Sequence, residues 1–240
     1  MIDRTSQVVP SRWSPEEIER RKAYKCIQHS HNGIAHKACY ERENNVQERK
    51  GCIDIEAGAL NADFDIMLSW AIKTVEKDET WHDNLTARDF KQGNYDARLV
   101  ATCIETMWKY DRLIGHYCGP NRFDIPFIRS RYFWLKARGL YDGPKFPGHG
   151  EMYITDTYSM SKRLLKIISR RQDSIANTIE GIDIKTRIDK AFWMAIKYGN
   201  PVARKEAIQY ILDHNQKDVE QLEQNYLIML PFVNETKTSI

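Results

Sequence analysis

No stretch of this sequence approaches the roughly 18 uninterrupted apolar residues of a membrane-spanning helix. The opening residues, MIDRTSQVVPSRWSPEEIERRK, contain no apolar leader segment. A cytoplasmic, intracellular protein with no membrane partner is therefore expected. Internal repeats and low-complexity tracts are also missing, and no polymerase or helicase signature is present. Net charge is scarce too: 36 Lys and Arg against 33 Asp and Glu leave +3. A total so close to balance permits a nucleic-acid partner without arguing for one, because the placement of the charge decides. The five cysteines, in an intracellular chain, are expected as reduced thiols or metal ligands rather than disulfides.

What is present suits one large domain, or one domain with a small appendage, in 240 residues with 42% hydrophobic and 29% charged content. Residues 14–25 open with Ser14 as a helix cap, Pro15 in the first turn and acids behind it, so a short charged helix is expected. Residues 26–49 carry three of the seven histidines and two of the five cysteines, with little apolar periodicity. Residues 1–49 read as a separate small His/Cys-rich element, 50–232 as the main domain and 233–240 as a tail.

From Cys52 the pattern changes. CIDIEA (52–57), FDIMLSWAIKTV (64–75) and the weaker ETWHDNLTA (79–87) read as strands. YDARLVATCIETMWKYD (95–111) places Leu99, Val100, Cys103, Ile104, Met107 and Trp108 at helical spacing. RLIGHYC (112–118) is a further strand, and DIPFIRSRYFWLKARG a helix closing on Gly139. EMYITD (151–156) is a fifth strand. Helices follow, broken at Gly181 and at 199–201. Three strands followed by alternation of helix and strand imply an α/β fold with a mixed five-stranded sheet flanked by helices.

Asp54 and Glu56 stand two apart on the first strand and so share a face. Two carboxylates side by side repel, and a divalent cation is the usual physical reason to tolerate the pair. The competing reading is a solvated edge strand, but Ile53 and Ile55 would face a core. Asp124 opens a helix in RFDIPFIRSR, where capping is the plain alternative. Arg122, Arg129 and Arg131 cluster beside it, and arginines bind phosphates well. In DHNQKDVEQLEQNY, His214 and Asp218 lie one helical turn apart, ahead of a stripe of Val219, Leu222, Tyr226 and Leu230. Alone, that pair reads as a surface or capping pair.

In combination, DIEAG, GHYCGPNRFDIPFI and HNQKDVEQLEQNY resemble, in order, the three motifs of the DEDD-type 3′–5′ exonucleases of the ribonuclease H-like superfamily. RFDIPFI is especially similar to the proofreading domains of family B DNA polymerases and their stand-alone relatives, and ITDTYSMSKRL is like that group's late strand and helix. The likeness covers about residues 50–232. It implies a ribonuclease H-like fold and hydrolysis of phosphodiester bonds with two Mg²⁺ or Mn²⁺ ions about 3.5–4 Å apart. Single-stranded DNA stands ahead of RNA as substrate. It further implies that Asp54 bridges both ions, that Glu56 and Asp218 complete the first site, and that Asp124 holds the second. His214 would orient or deprotonate the attacking water. The chain departs from the family in two places. Asn121 does not sit at the spacing usual for the second motif, and a histidine occupies the spacing normally held by tyrosine in the third. Implied partners are nucleic acid with a 3′ end and a polymerase or other replication or repair protein.

Substrate contacts are expected from Arg122 and Arg129, and from RSRYFWLKAR (129–138), where basic and aromatic residues interleave as a single-strand groove requires. At least two of Tyr132, Phe133 and Trp134 are expected in the core instead. SKRLLKIISRR (161–171) is a second basic stretch, equally explicable as a solvated face. In CIQHSHNGIAHKAC (26–39), Cys-x2-His-x6-His-x2-Cys and Cys-x4-His-x4-His-x2-Cys both supply two thiolates and two imidazoles, a tetrahedral set for one structural Zn²⁺. The expected ligands are Cys26, His31, His36 and Cys39, with His29 as the alternative to His31. The competing classes are a catalytically silent nuclease-like module that binds nucleic acid or a polymerase, and an adaptor organised by zinc.

Overall fold

Ser14 accepts a hydrogen bond from the Glu17 amide at 3.2 Å and Pro15 supplies a pre-set φ, so helix α1 (Pro15–Ala23) starts there. The computed structural model describes residues 13–63, 65–93, 95–119, 122–180, 189–235 and 238–240. The chain divides into two compact units between Arg49 and Lys50. In the first, α1 and α2 (Lys37–Glu43) share a small centre rather than lacking one. The Arg21 guanidinium lies 3.9 Å from the Trp13 ring centroid and 4.4 Å from that of Tyr40. Arg21 Nε also donates to Glu17 at 2.7 Å. Stacking a weakly hydrated guanidinium between rings lets it be buried without losing its charge partner.

The second unit begins with a meander of β1 (Lys50–Ala57), β2 (Met67–Thr74) and β3 (Thr80–Asn84). Helices α3 (Ala87–Gln92) and α4 (Ala97–Met107) lead to β4 (Arg112–Gly115). Then come α5 (Asp124–Ala137), β5 (Tyr153–Asp156), α6 (Thr157–Leu164), α7 (Gln172–Glu180), α8 (Lys190–Tyr198), α9 (Pro201–Met229) and β6 (Thr238–Ser239). The sheet order is β3-β2-β1-β4-β5-β6. Pairs β1–β2, β2–β3 and β5–β6 are antiparallel, and β1–β4 and β4–β5 parallel. This is a mixed α/β arrangement, a sheet flanked by helices. No helix among the described residues is long and apolar enough to cross a membrane.

Strand alternation assigns the two faces of β1. Ile53 and Ile55 point into a core completed by Leu99 and Ile104 of α4 and Ile128 and Leu135 of α5. Cys52 faces the opposite way, where Ala71 and Ile114 meet Val219, Leu222, Tyr226 and Met229 of α9. Asp54 and Glu56 share the parity of Cys52, so they lie on the α9 side of a strand third in the sheet order.

Three differences from the sequence reading have local causes. Among the described residues the sheet has six strands rather than five. Within 233–240, expected as a tail, two residues join the sheet: Ser239 pairs with Tyr153 and Thr238 with Ile154. Glu235 holds them there: it accepts from Tyr226 Oη at 2.7 Å and pairs with Lys50 and, at 3.6 Å, with Arg112. Helix α3 is additional, and it starts at a reciprocal capping box between Thr86 and Asp89. The expected helical break at Gly181 lies outside the described residues, whereas that at 199–201 separates α8 from α9.

Candidate functional site

The carboxylates on the α9 face of β1 meet the middle of α9. Ligand atoms of Glu56, His214 and Asp218 all lie within 4.8 Å of one another. His214 Nε2 is 3.5 Å from Asp218 Oδ2, and both side chains are buried. The pair therefore sits well inside a 29-residue helix, not at a charged helix start. Asp54 is reached from the same helix by a neighbour: Asn215 Nδ2 donates to Asp54 Oδ2 at 2.5 Å. Asn215 is fully buried and its Oδ1 accepts from Ser69 Oγ at 3.4 Å. Consecutive residues on α9 thus serve different acids, because a step of one residue turns about 100° around a helix. Asp54 and Asp218 line one cleft of about 440 Å³.

Asp124 is the first residue of α5, not its cap; Phe123 holds the cap position and makes no side-chain capping bond. Burial raises the Asp124 carboxyl to about 7, against the lowering effect of hydrogen bonds to backbone at Asp124 and Ile55. The negative charges of Asp156 and Asp218 contribute to that rise. Three separate chain segments therefore direct carboxylates at one another in a place that penalises charge. Hard oxygen donors with one imidazole suit Mg²⁺ or Mn²⁺, and a dication would oppose the burial and repulsion that raise the Asp124 carboxyl.

The expected phosphate-binding arginines do not line this cleft. Arg122 instead pairs with Asp156 at 3.1 Å and lies 4.5 and 4.4 Å from the ring centroids of Tyr117 and Tyr158. Arg129 sits on α5 outside the cleft lining. Arg131 is buried and bonded to Asp96 at 2.6 Å and to the Ala62 carbonyl at 2.9 Å, a structural ion pair. Of the aromatic trio on α5, Tyr132 is buried, Trp134 packs against the core, and Phe133 is 60% exposed. Asn121 lies outside the described residues. The basic groups that do line the acid cleft are Arg170 and Arg171, with Tyr117 and Tyr158 beside them. They come from the stretch whose charge also suits a solvated face.

In the first unit, a turn brings donors together. Cys26 N–H donates to the His31 carbonyl at 2.9 Å, the Ser30 N–H donates to the Cys26 carbonyl at 2.8 Å, and Ser30 takes a positive φ of 56°. Ligand atoms of Cys26, His29, His36 and Cys39 then lie within 4.8 Å of one another. His29, not His31, completes the set: His29 Nδ1 is 3.4 Å from Cys26 Sγ and 3.9 Å from Cys39 Sγ. Burial opposes ionisation of Cys26, but hydrogen bonds from His29, Cys39 and His36 bring its thiol down to about 6. Its hydrogen bond to Cys26 raises Cys39 in turn. One thiolate sharing its charge with a second sulfur and two imidazoles is the chemistry of a soft-metal site.

No family model and no curated protein matches the chain. Among solved structures it is similar to the family B DNA polymerase from the hyperthermophilic archaeon Pyrobaculum calidifontis, with a TM-score of 0.52 and 18% identity. The likeness covers 75% of this chain and 25% of that polymerase. At that identity it is a likeness of fold, and this chain spans about a quarter of the polymerase's length.

Proposed function

We propose that the second unit is a metal-dependent 3′–5′ exonuclease that hydrolyses phosphodiester bonds of single-stranded nucleic acid, DNA ahead of RNA. The observation that carries this reading is the convergence of Asp54, Glu56, Asp124 and Asp218 from β1, α5 and α9, with Glu56 and Asp218 against His214. The fold shared with a DNA polymerase adds a nucleic-acid context. Asp54, Glu56, Asp124 and Asp218 would hold two Mg²⁺ or Mn²⁺ ions. Bound there, they supply charge stabilisation for the phosphoryl oxygens and the leaving 3′ oxygen, and acidify a water. Asn215 fixes the rotamer of Asp54, so that carboxylate is pre-oriented. His214, packed against Asp218 and Glu56, orients the attacking water and receives its proton. In the first unit, Cys26, His29, His36 and Cys39 would hold one structural Zn²⁺.

Digestion of 5′-labelled single-stranded DNA and RNA with Mg²⁺ tests the nuclease reading. Wild-type protein is expected to shorten the strands stepwise from the 3′ end. Asp54→Ala and Asp218→Ala should abolish this while keeping or raising the thermal midpoint, because each removes charge from a repelling cluster. Full activity in either folded variant would refute the assignment. Tight binding by wild-type protein without cutting would establish a silent binding module instead.

A further inference from the structure

The chain between α6 and α7, residues 165–171, forms no regular element, yet it is pinned at both ends. Ser174 Oγ donates to Ser169 Oγ at 3.0 Å. Gln172 is buried: its Nε2 donates to the backbone carbonyl of Asp218 at 2.6 Å, and its own carbonyl accepts from Asn225 Nδ2 at 3.2 Å. Arg170 and Arg171 are thus anchored to the turn of α9 that carries Asp218, and both line the acid cleft. They differ in what their side chains meet. Arg171 is largely exposed and lies 3.6 Å from Asp173. Arg170 Nε is shut off from solvent and has no hydrogen-bond partner among the described residues. A buried donor without an acceptor is costly, and a ligand that draws the Arg170 head into the cleft would offset that cost. The fully exposed Ile168 and the rings of Tyr117 and Tyr158 line the same cleft.

We propose that Arg170 is the phosphate-gripping residue of this cleft: its guanidinium takes a backbone phosphate of a single strand whose 3′ end lies at the acid cluster. This rests on reading that cluster as a nuclease site. A phosphodiester brings two anionic oxygens that match the planar fork of arginine. It also offers acceptors where the carboxylates around it are committed to metal. Tyr117 and Tyr158 supply faces for the adjoining base, a contact that tolerates any sequence.

The test compares wild type, Arg170→Ala and Arg170→Lys, each first shown to be folded by its thermal midpoint. Binding of a 5′-fluorescein oligonucleotide is followed by anisotropy in Ca²⁺, under conditions in which a gel shows the strand intact. A second oligonucleotide carries neutral methylphosphonates at its last three 3′ linkages. Wild-type protein should bind the charged end about tenfold or more tighter than the neutral one, the worth of a charge-assisted hydrogen bond. Arg170→Ala should lose most of that preference, keeping only the share that Ca²⁺ at the acid cluster supplies, and Arg170→Lys should recover part of it. An Arg170→Ala protein that binds the charged end within twofold of wild type, or keeps the preference, overturns the proposal, as does a wild type with no preference. If wild type binds with the preference but never cuts in Mg²⁺, the nuclease reading fails and the phosphate grip stands. If it cuts and Arg170→Ala binds normally, the reverse holds.

Discussion

Cys26, His29, His36 and Cys39 come from one short stretch closed by a single turn, whereas His214 lies 158 positions after Glu56 and reaches it only through a folded sheet. The donors differ in kind as well. The first set offers sulfur and nitrogen, the second carboxylate oxygens and one imidazole, which select zinc and magnesium or manganese respectively. Their supports differ most. Among its described residues the first unit centres on Trp13, Arg21 and Tyr40 beside the buried Cys26 and Cys39, while the second has a six-stranded sheet packed on both faces. A metal bound in the first unit would be part of what holds that unit together. In the second, the fold exists first and bound ions would relieve a charge cluster that the fold imposes.

Breaking the first cluster should therefore have the largest structural effect. Cys26→Ser or Cys39→Ser in the full chain should lose one equivalent of zinc by elemental analysis and open residues 13–49 to limited proteolysis, leaving 50–240 resistant. His29→Ala should behave like the cysteine variants and His31→Ala like wild type; the opposite pattern would move the ligand back to His31. A smaller effect is expected from Asn215→Ala, which leaves every carboxylate in place but frees Asp54. Nuclease activity should fall about 10- to 100-fold, as for outer partners of metal ligands, with the metal requirement shifted to higher concentration. An unchanged metal dependence would remove Asn215 from the site.

Acid should separate the two units gently. Burial would raise Glu235, but hydrogen bonds from Lys50 and Tyr226, and the charge of Arg112, hold it below its ordinary 4.5. A lowered carboxyl contributes stability that is present above its unfolded value and lost as pH falls through the folded one. The second unit should therefore begin to lose this contribution only below about pH 4.5. Zinc release from thiolates and imidazoles should occur at higher pH, so the first unit opens first. Thermal midpoints against pH check the order, and Glu235→Gln should flatten the acid limb.

Much of the second unit was legible because strands and helices repeat with fixed periods. Alternation alone placed Asp54 and Glu56 opposite Ile53 and Ile55, and a four-residue step placed His214 with Asp218. Asn215 escaped notice because its value depends on Asp54, 161 positions away. The ion pairs of Arg122 and Arg131 were hidden for the same reason: nothing near them in sequence announces Asp156 or Asp96 as partners. Arg170 sits in an irregular segment, where no period assigns a direction. The choice of His29 over His31 turned on the backbone of one tight turn, with Ser30 at positive φ. Helix α3 did carry a signal in Thr86 and Asp89, whereas a two-residue strand such as β6 is too short to show any period.

That short strand has a bearing on handling the protein. An outer strand presents a row of unpaired amides and carbonyls that invites another chain to add to it, and brevity is one natural defence. Thr238 and Ser239 cover the Tyr153–Asp156 rim with only two residues of their own, and the Ile240 N–H adds a bond to the Met152 carbonyl at 3.1 Å. Without Thr238, Ser239 and Ile240, the β5 edge they cover would stand bare, exchanging a self-limiting border for an adhesive one.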